Sequence, residues 1–363
     1  MKRRGKIISV TLILLFVVVG LMFLWLYREL RAPVAHAKAD TYIEIPRGLS
    51  PSQIINKLAS EGILKHEWPL LLYMKWTGAG ARLKAGEYRF PSPISPLGVL
   101  RKLEDGEQRL SRFTVIEGWT RWDIAAAMYR IPELKLENAD AALALMNDTG
   151  LIRDLDPDAN NLEGYLYPDT YNFPPDTTAP EMIAAMVKRF RQQWKPDWTE
   201  RARSLNLTPR QIVTVASLIE TESKLDDERP IVASVIYNRL KKEMPLGVDS
   251  SIIYASKLAG KWKNDGKVYR SDLDRDTPYN TRLHTGLPPG PIASPSLSSL
   301  RAALNPETTG FLYYVREPSR NDGAHNFYDN GRDFDRGVQA LREWERERDA
   351  RKAANTSENS SAQ

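Results

Sequence analysis

The sequence contains no cysteine, which excludes disulfide bonds and thiolate metal sites. Histidine is scarce as well. Its four residues are scattered and form no HExxH motif, which argues against a metalloenzyme built on imidazole ligands. We therefore expect neither a metal nor another cofactor. The formal net charge is only +5 over 363 residues and the basic side chains are dispersed, so we expect no nucleic-acid partner.

Long hydrophobic runs are also rare, with a single one at the N-terminus. Ile7–Tyr27 is apolar apart from Ser9 and Thr11, and its length matches the roughly 20 residues that span a bilayer. Basic residues crowd positions 2–6 in front of it. The positive-inside rule then predicts that residues 1–6 stay in the cytoplasm and that the chain beyond the span lies outside. A linker is expected over 28–40.

A cleaved signal peptide is the alternative for the same run. Ala35-His36-Ala37 has the small-x-small form of a cleavage site. However, the apolar run exceeds the roughly 7–15 residues of a signal-peptide core, and the candidate site lies well beyond its end. We therefore favour an uncleaved, single-pass anchor.

A strand–turn–helix pattern occurs twice within residues 41–130. In the first copy, a short alternating strand is followed by Gly48 and then by Ser50, which begins a helix. In the second copy, Gly118 and Thr120 occupy the equivalent places. At 363 residues the chain is long enough for two domains, and its 42% hydrophobic content is enough to form their cores. Residues 41–130 are predicted to form small α+β modules, and nothing in them has catalytic spacing.

The stretch 213–228 is the most informative part of the sequence. Thr208 begins a helix there as the cap of a capping box closed by Gln211, with Pro209 at the first helical position. At about 100° per residue, one side of the helix is apolar and the other polar. The apolar stripe comprises Ile212, Val215, Ala216 and Ile219, and the polar side Thr214, Ser217 and Thr221.

Two glutamates project from opposite edges of this apolar stripe, Glu220 and Glu222. A carboxyl group with an apolar flank loses hydration, which favours the protonated form that a general acid needs. The two side chains are about 200° apart around the helix, so only one can face a given substrate. The alternative is that both are boundary carboxylates, solvated or paired with a lysine or arginine.

The rest of the chain offers coarser expectations. Helices are predicted over 134–155 and 334–352, and 244–295 is predicted to be rich in loops that would carry a site above a helical scaffold. Residues 351–363 are polar and predicted to be disordered.

Six motifs, in order, resemble the YceG-like (MltG) family of endolytic murein transglycosylases. As they stand here they are LEGYLYPDTY at 162–171, ASLIETES at 216–223, ERPIVASVIYNRL at 228–240, GVDSSIIYA at 247–255, TPYNT at 277–281 and GLPPGPIASP at 286–295. The resemblance implies an α+β fold with an N-terminal transmembrane helix, small LysM-like α+β modules over 41–130, and a mainly helical α+β catalytic domain with long loops over 131–350.

The resemblance also implies a reaction and a catalytic residue. Such enzymes cleave the β-1,4 bond between N-acetylmuramic acid and N-acetylglucosamine and close a 1,6-anhydro ring, and the first Glu of the Glu-x-Glu pair, here Glu220, is the acid/base. Glu222 would hold a neighbouring loop or pair with a basic residue such as Arg239. Groups that bind substrate and stabilise its developing positive charge are expected among Glu163, Asn238, Asp249, Tyr279 and Asn280.

The implied partners are peptidoglycan glycan strands, the cell inner membrane, and peptidoglycan synthases near nascent strands, whose elongation internal cleavage would terminate. Two other classes stay open from the residues. A hydrolytic muramidase would need a second essential carboxylate, with Glu222, Asp249 and Glu163 as candidates. A non-catalytic scaffold tethered to the membrane would bind peptidoglycan without cutting it.

Overall fold

A computed structural model of the chain describes residues 2–106, 110–320 and 322–361. It is a mixed α+β structure in which helices predominate and the strands form two-stranded sheets. The chain divides into two compact units. The first comprises Met1–Arg112 with Asn172–Thr177, and the second comprises Phe113–Tyr171 with Thr178–Gln363.

The first unit begins with a long helix and continues as a small β-α-α-β arrangement with one further helix. β1 and β2 pair antiparallel, with Tyr42 opposite Arg89 and Ile45 opposite Gly86. A continuous apolar core, in which Ile55, Leu58 and Leu103 are fully buried, lies between the sheet and the helices. The elements are α1 (Lys2–Arg31), β1 (Tyr42–Ile45), α2 (Pro51–Ser60), α3 (Trp68–Thr77), β2 (Gly86–Arg89) and α4 (Pro96–Asp105).

Within the described residues, one helix is long and apolar enough to cross a membrane. It is the Ile13–Arg31 part of α1, with a mean hydropathy of 2.0 and almost none of its surface buried inside the structure. These properties suit a single-pass anchor or a signal sequence.

The second unit is built mainly from helices. Its elements are α5 (Arg121–Tyr129), α6 (Ala139–Leu145), α7 (Ala179–Gln193), α8 (Pro196–Ser204), α9 (Pro209–Glu222), α10 (Arg229–Lys241), α11 (Asp249–Leu258), α12 (Arg270–Leu273), α13 (Leu297–Leu304), β5 (Tyr313–Arg316), β6 (His325–Tyr328) and α14 (Gly331–Ser361). A further sheet pairs β3 (Ser111–Thr114) with β4 (Thr170–Phe173). The sequence boundaries between the units after Arg112 and after Tyr171 fall within these two strands.

The predicted repeat is confirmed at the level of local structure. Ser50 caps α2 and Thr120 caps α5, and each forms a complete capping box with the residue three positions later. Gly48 and Gly118 both have positive φ, near +86° and +77°, which a residue without Cβ adopts at little cost. The copies lie in different units, because the compact division falls after Arg112 rather than at the predicted boundary near 130.

Two sequence expectations about helices are corrected, for 134–155 and for the C-terminal segment, and the loop-rich character expected of 244–295 is confirmed. The helix predicted over 134–155 is interrupted, because Asn138 caps a new helix and only Ala139–Leu145 is α-helical. The stretch 244–295 contains α11 and α12 besides its loops. The final helix α14 continues to Ser361, through most of the segment predicted to be disordered, and residues 362–363 lie outside the described residues.

Candidate active site

Helix α9 is the central element of the second unit. It packs against α8, α10, α11 and α13, and all residues from Ile212 to Ile219 are buried. The predicted polar side is therefore not exposed to solvent. Its hydroxyl groups are satisfied internally instead, since Thr214 donates to the carbonyl of Arg210 at 2.9 Å and Ser217 accepts the N–H of Ile292 at 3.0 Å. This burial holds the last turn of α9 in a fixed place.

Glu220 lies on that last turn, and its carboxylate accepts three hydrogen bonds. The Arg229 guanidinium donates to both oxygens, at 3.2 Å and 3.3 Å, and the backbone N–H of Ser296 donates to one of them at 2.7 Å. The Glu220 and Arg229 side chains are only 5% and 6% exposed. A bidentate pair of this kind fixes the plane of the carboxyl group. A fixed orientation is what a catalytic group needs if it is to contact one particular substrate atom.

Two helix N-termini converge on this carboxylate. Arg229 is the first residue of α10, and Ser296 is the N-cap of α13, where its side chain accepts the N–H of Ser299. Arg229 also donates to the hydroxyl of Ser296. Helix N-termini carry partial positive charge and attract anions. The fold therefore surrounds Glu220 with complementary charge from elements that follow it in sequence.

A cleft of about 730 Å³ opens beside this ion pair. The two residues that donate to the Glu220 carboxylate, Arg229 and Ser296, form part of its wall. The wall combines aromatic rings with charged groups of both signs, a composition that suits a polar ligand with an apolar face. The other lining residues are Glu117, Tyr167, Lys195, Trp198, Asp226, Pro230, Leu297, Ser298, Arg301, Ala302 and Asn305.

Asp226 and Glu117 are cleft carboxyls that the sequence patterns do not single out, and Glu117 directly precedes the Gly118 turn. The turn that follows it is fastened beside the site, because the N–H of Gly118 donates to Ser294 at 2.9 Å and Ser294 donates back to Trp119 at 2.8 Å. A Cβ on Gly118 would lie 3.9 Å from Cγ of Glu220. Desolvation of its carboxyl, and then repulsion from Glu220, raise the pKa of Glu117. In the sequence, Glu117 directly precedes Gly118 of the second strand–turn–helix copy, whereas Arg47 precedes Gly48 of the first. This difference in charge between equivalent positions is the signal that could have indicated Glu117.

Comparison with known proteins identifies the family. The model of the YceG-like family matches residues 43–340. The chain belongs to the YceG-like family.

Relatives with curated names agree with this membership. A protein of Bacillus subtilis (strain 168) named endolytic murein transglycosylase is 35% identical over 314 residues, which are 82% of this chain and 84% of that protein. A protein of the same name from Streptococcus pneumoniae D39 is 30% identical over 84% of this chain, which spans 59% of that longer relative. The crystal structure of a yceG-like protein from Listeria monocytogenes superposes with a TM-score of 0.55 at 29% identity, over 83% of this chain and 99% of that one.

Of the substrate-binding residues that the family resemblance implies, Glu163 is buried. Both of its carboxylate oxygens accept the backbone N–H of Arg121 at 3.2 Å, at the first turn of α5. Burial raises the pKa of Glu163 to about 7, against the lowering effect of the Arg121 hydrogen bond. The structure thus places this carboxyl inside the unit rather than among the residues lining the cleft.

Asn238 and Asp249 also have partners within the protein. The amide of Asn238 donates to the carbonyls of Thr309 and Phe311, each at 2.9 Å, and so fastens the chain before β5. The carboxylate of Asp249 forms an exposed ion pair with Arg282 at 2.6 Å. Neither residue lines the 730 Å³ cleft.

Tyr279 and Asn280 lie in the TPYNT motif of the family. The Tyr279 ring is 5.0 Å from that of Tyr254, and burial raises its pKa. The fully buried Asn280 amide donates to the carbonyls of Leu273 and Arg275, at 2.8 Å and 2.9 Å. These contacts hold the loop together. A role for either residue in substrate binding stays a prediction, as it does for Glu163, Asn238 and Asp249.

Glu222 points away from Glu220, as its spacing on the helix predicts. Its carboxylate accepts the Tyr314 hydroxyl at 2.7 Å, so it fastens strand β5 to α9. Burial raises the pKa of Glu222. Arg239, the expected basic partner, donates instead to the carbonyls of Leu312 at 2.6 Å and Leu246 at 2.5 Å.

Proposed function

We propose that this chain is a lytic transglycosylase that cleaves the β-1,4 bond between N-acetylmuramic acid and N-acetylglucosamine in peptidoglycan strands. The observation that carries the proposal is the position of Glu220, a buried carboxyl whose two partners, Arg229 and Ser296, line a 730 Å³ cleft. Family membership supports it, because the curated relatives are named endolytic murein transglycosylases. Internal cleavage of nascent strands, and termination of their elongation, extend the proposal.

Glu220 acts as both acid and base in this scheme. Its carboxyl first gives a proton to the oxygen that leaves as the glycosidic bond breaks. The carboxylate then takes the proton from the 6-hydroxyl of the muramic acid, whose oxygen attacks the anomeric carbon and closes the anhydro ring. The proton lost in the first step is regained in the second, and no water is consumed. Arg229 and the Ser296 N–H hold the carboxylate in place between the two steps.

A hydrolytic muramidase is the second candidate, favoured by the presence of two carboxyl groups in the cleft beside Arg229. Glu222, Asp249 and Glu163 are engaged elsewhere, with Tyr314, Arg282 and Arg121 respectively. Glu117 and Asp226, however, line the cleft with Arg229. A hydrolase would use one of them as base or nucleophile beside the acid.

Mass analysis of the products from purified glycan strands separates these candidates. The transglycosylase predicts 1,6-anhydromuramic ends, whereas the muramidase predicts reducing ends that incorporate oxygen from ¹⁸O-water. A purified protein that binds sacculi and releases neither product would instead support the scaffold.

The location and the first unit form the remaining part of the proposal. Helix α1 would be an uncleaved inner-membrane anchor with its basic N-terminus in the cytoplasm and the two units in the periplasm, near peptidoglycan synthases. The β-α-α-β order of the first unit supports a LysM-like, glycan-positioning role. N-terminal sequencing of the mature protein tests the anchor, and a start at Lys38 would overturn it.

A further inference from the structure

Helix α3 carries an apolar stripe on its outer face. Trp68, Leu72 and Trp76 are spaced four residues apart, which places them on one side of the helix. Their exposures are 48%, 38% and 72%, unusually high for such large apolar side chains. The opposite side, with Leu70 and Met74, is buried in the core of the first unit. The stripe is therefore not part of that core.

The same stripe meets α1 at the end of its apolar span. Trp68 stacks on Trp25 with ring centroids 5.1 Å apart and planes inclined by 10°, and Trp76 lies 5.5 Å from Phe23. All four rings belong to the first unit, so this arrangement lies within one compact body. The outer face of α3 is thus continuous with the surface of a helix that is long and apolar enough to cross a membrane.

Aromatic and basic residues are gathered at this end of α1. Tyr27 is 53% exposed, and the guanidinium of Arg31 lies 4.4 Å from the centre of its ring. Arg28 and Arg31 occupy the last turn of the helix. Tryptophan and tyrosine prefer the headgroup level of a bilayer, and arginine there can extend to phosphate. The end of the span therefore has the composition of a membrane interface.

We propose that α3 lies in the headgroup region of the bilayer, with Trp68, Leu72 and Trp76 inserted into lipid beside α1. The bilayer is the occupant indicated by the continuity of the stripe with the span and by its tryptophan content. The consequence is a second membrane contact, which holds the first unit against the surface instead of leaving it on a flexible tether. The proposal rests on the membrane anchor but not on the cleavage chemistry.

The absence of cysteine allows a direct test with single-cysteine variants of the full chain. Val17→Cys reports on the span, Leu72→Cys on the stripe, and Ser60→Cys on α2 serves as an exposed control outside the stripe. Each protein is labelled with an environment-sensitive fluorophore and reconstituted into phosphatidylglycerol–phosphatidylcholine vesicles. Quenching is then measured with doxyl-labelled lipid and with aqueous iodide.

The proposal predicts that doxyl lipid quenches more than half of the fluorescence at positions 17 and 72, and that iodide quenches the label at 60. Quenching by doxyl lipid at 17 but not at 72 would overturn the proposal and leave the anchor intact. Its absence at both would overturn the anchor and the proposal together. Release of anhydro products from soluble strands is measured separately, so a failure of the proposed reaction would be distinguished from either outcome.

A companion variant addresses the stripe itself. Trp76 is largely exposed, so Trp76→Glu should fold normally while placing a charge where lipid is expected. Combined with Leu72→Cys, it should move the label at 72 from doxyl quenching towards iodide quenching. An unchanged pattern in a well-folded protein would show that the stripe does not enter the bilayer.

Discussion

Arg229 donates to both carboxylate oxygens of Glu220, and the two side chains are almost completely buried together. Arg229 begins α10 and Glu220 lies on the last turn of α9, so the turn between these helices brings the pair together. Two parallel hydrogen bonds fix an orientation as well as a distance. The carboxyl proposed to transfer protons is therefore held by a planar group that lysine cannot imitate.

Substitution of Arg229 should damage both stability and rate. Arg229→Gln leaves the buried Glu220 without its charged partner, which typically costs about 3–5 kcal/mol. Arg229→Lys keeps the charge but loses the two-pronged contact, so it should lower kcat more than it raises KM. Thermal melting and steady-state release of anhydro products measure the two effects. A fully active, normally stable Arg229→Gln enzyme would show that the pair has no part in the site.

Glu222 should matter for the fold rather than for the reaction. Glu222→Gln can still accept the Tyr314 hydroxyl, but its new amide hydrogens enter a buried place built for a carboxyl group. An unsatisfied buried donor costs about 1–3 kcal/mol, so the melting temperature should fall. Product release per folded molecule should stay near that of the unchanged enzyme. A loss of turnover without loss of stability would assign Glu222 to the chemistry instead.

Glu163 should make stability depend on pH. Its pKa is about 7 in the folded protein against an ordinary value of 4.5, so the folded state holds the extra proton between these pH values. The stability that this proton contributes is complete below about pH 4.5 and is lost as pH rises through 7. Glu163→Gln removes the titration, so the melting temperature should fall less steeply between pH 4.5 and pH 8 in the variant than in the unchanged protein. An equal pH dependence of the two melting temperatures would contradict the raised pKa of Glu163.

Gly164 should tolerate no side chain. Its φ is +82°, and a Cβ would lie 2.5 Å from Pro291 and 2.9 Å from Val213. Left-handed strain and overpacking each cost about 1–3 kcal/mol, so Gly164→Ala should destabilise the protein by about 3 kcal/mol. Gly310→Ala is the matched control, since nothing lies within 4 Å of its added Cβ. Equal denaturation midpoints for the two variants would contradict this packing.

Local signals in the sequence predict local structure well. The Thr208 capping box, the repeated turns at Gly48 and Gly118 and the opposite directions of Glu220 and Glu222 depend on neighbours within a few residues, and all occur in the structure. What the sequence does not indicate is that Thr214 and Ser217, on the polar side of α9, are buried. Periodicity describes one helix and cannot show that four others surround it.

The site itself depends on contacts that sequence spacing does not encode. Arg229 reaches Glu220 across an interhelical turn, and Ser296 reaches it from 76 residues away. Glu117 comes beside the site only because the 118–119 turn bonds to Ser294. The family resemblance indicates Glu220 as the proposed acid, whereas its partners and the two cleft carboxyls, Glu117 and Asp226, are apparent only in the folded chain.

The most direct measurement is the release of 1,6-anhydro products by Glu220→Gln on purified glycan strands, compared with Glu222→Gln. Glutamine keeps an oxygen that can accept from Ser296, but it leaves buried Arg229 without its carboxylate partner, so turnover is measured per folded molecule, below the melting temperature of each variant. We expect a decrease of about 10²–10⁴-fold in this turnover for Glu220→Gln, because the proton donor is lost. A well-folded Glu220→Gln protein that releases anhydro products at the full rate would contradict it.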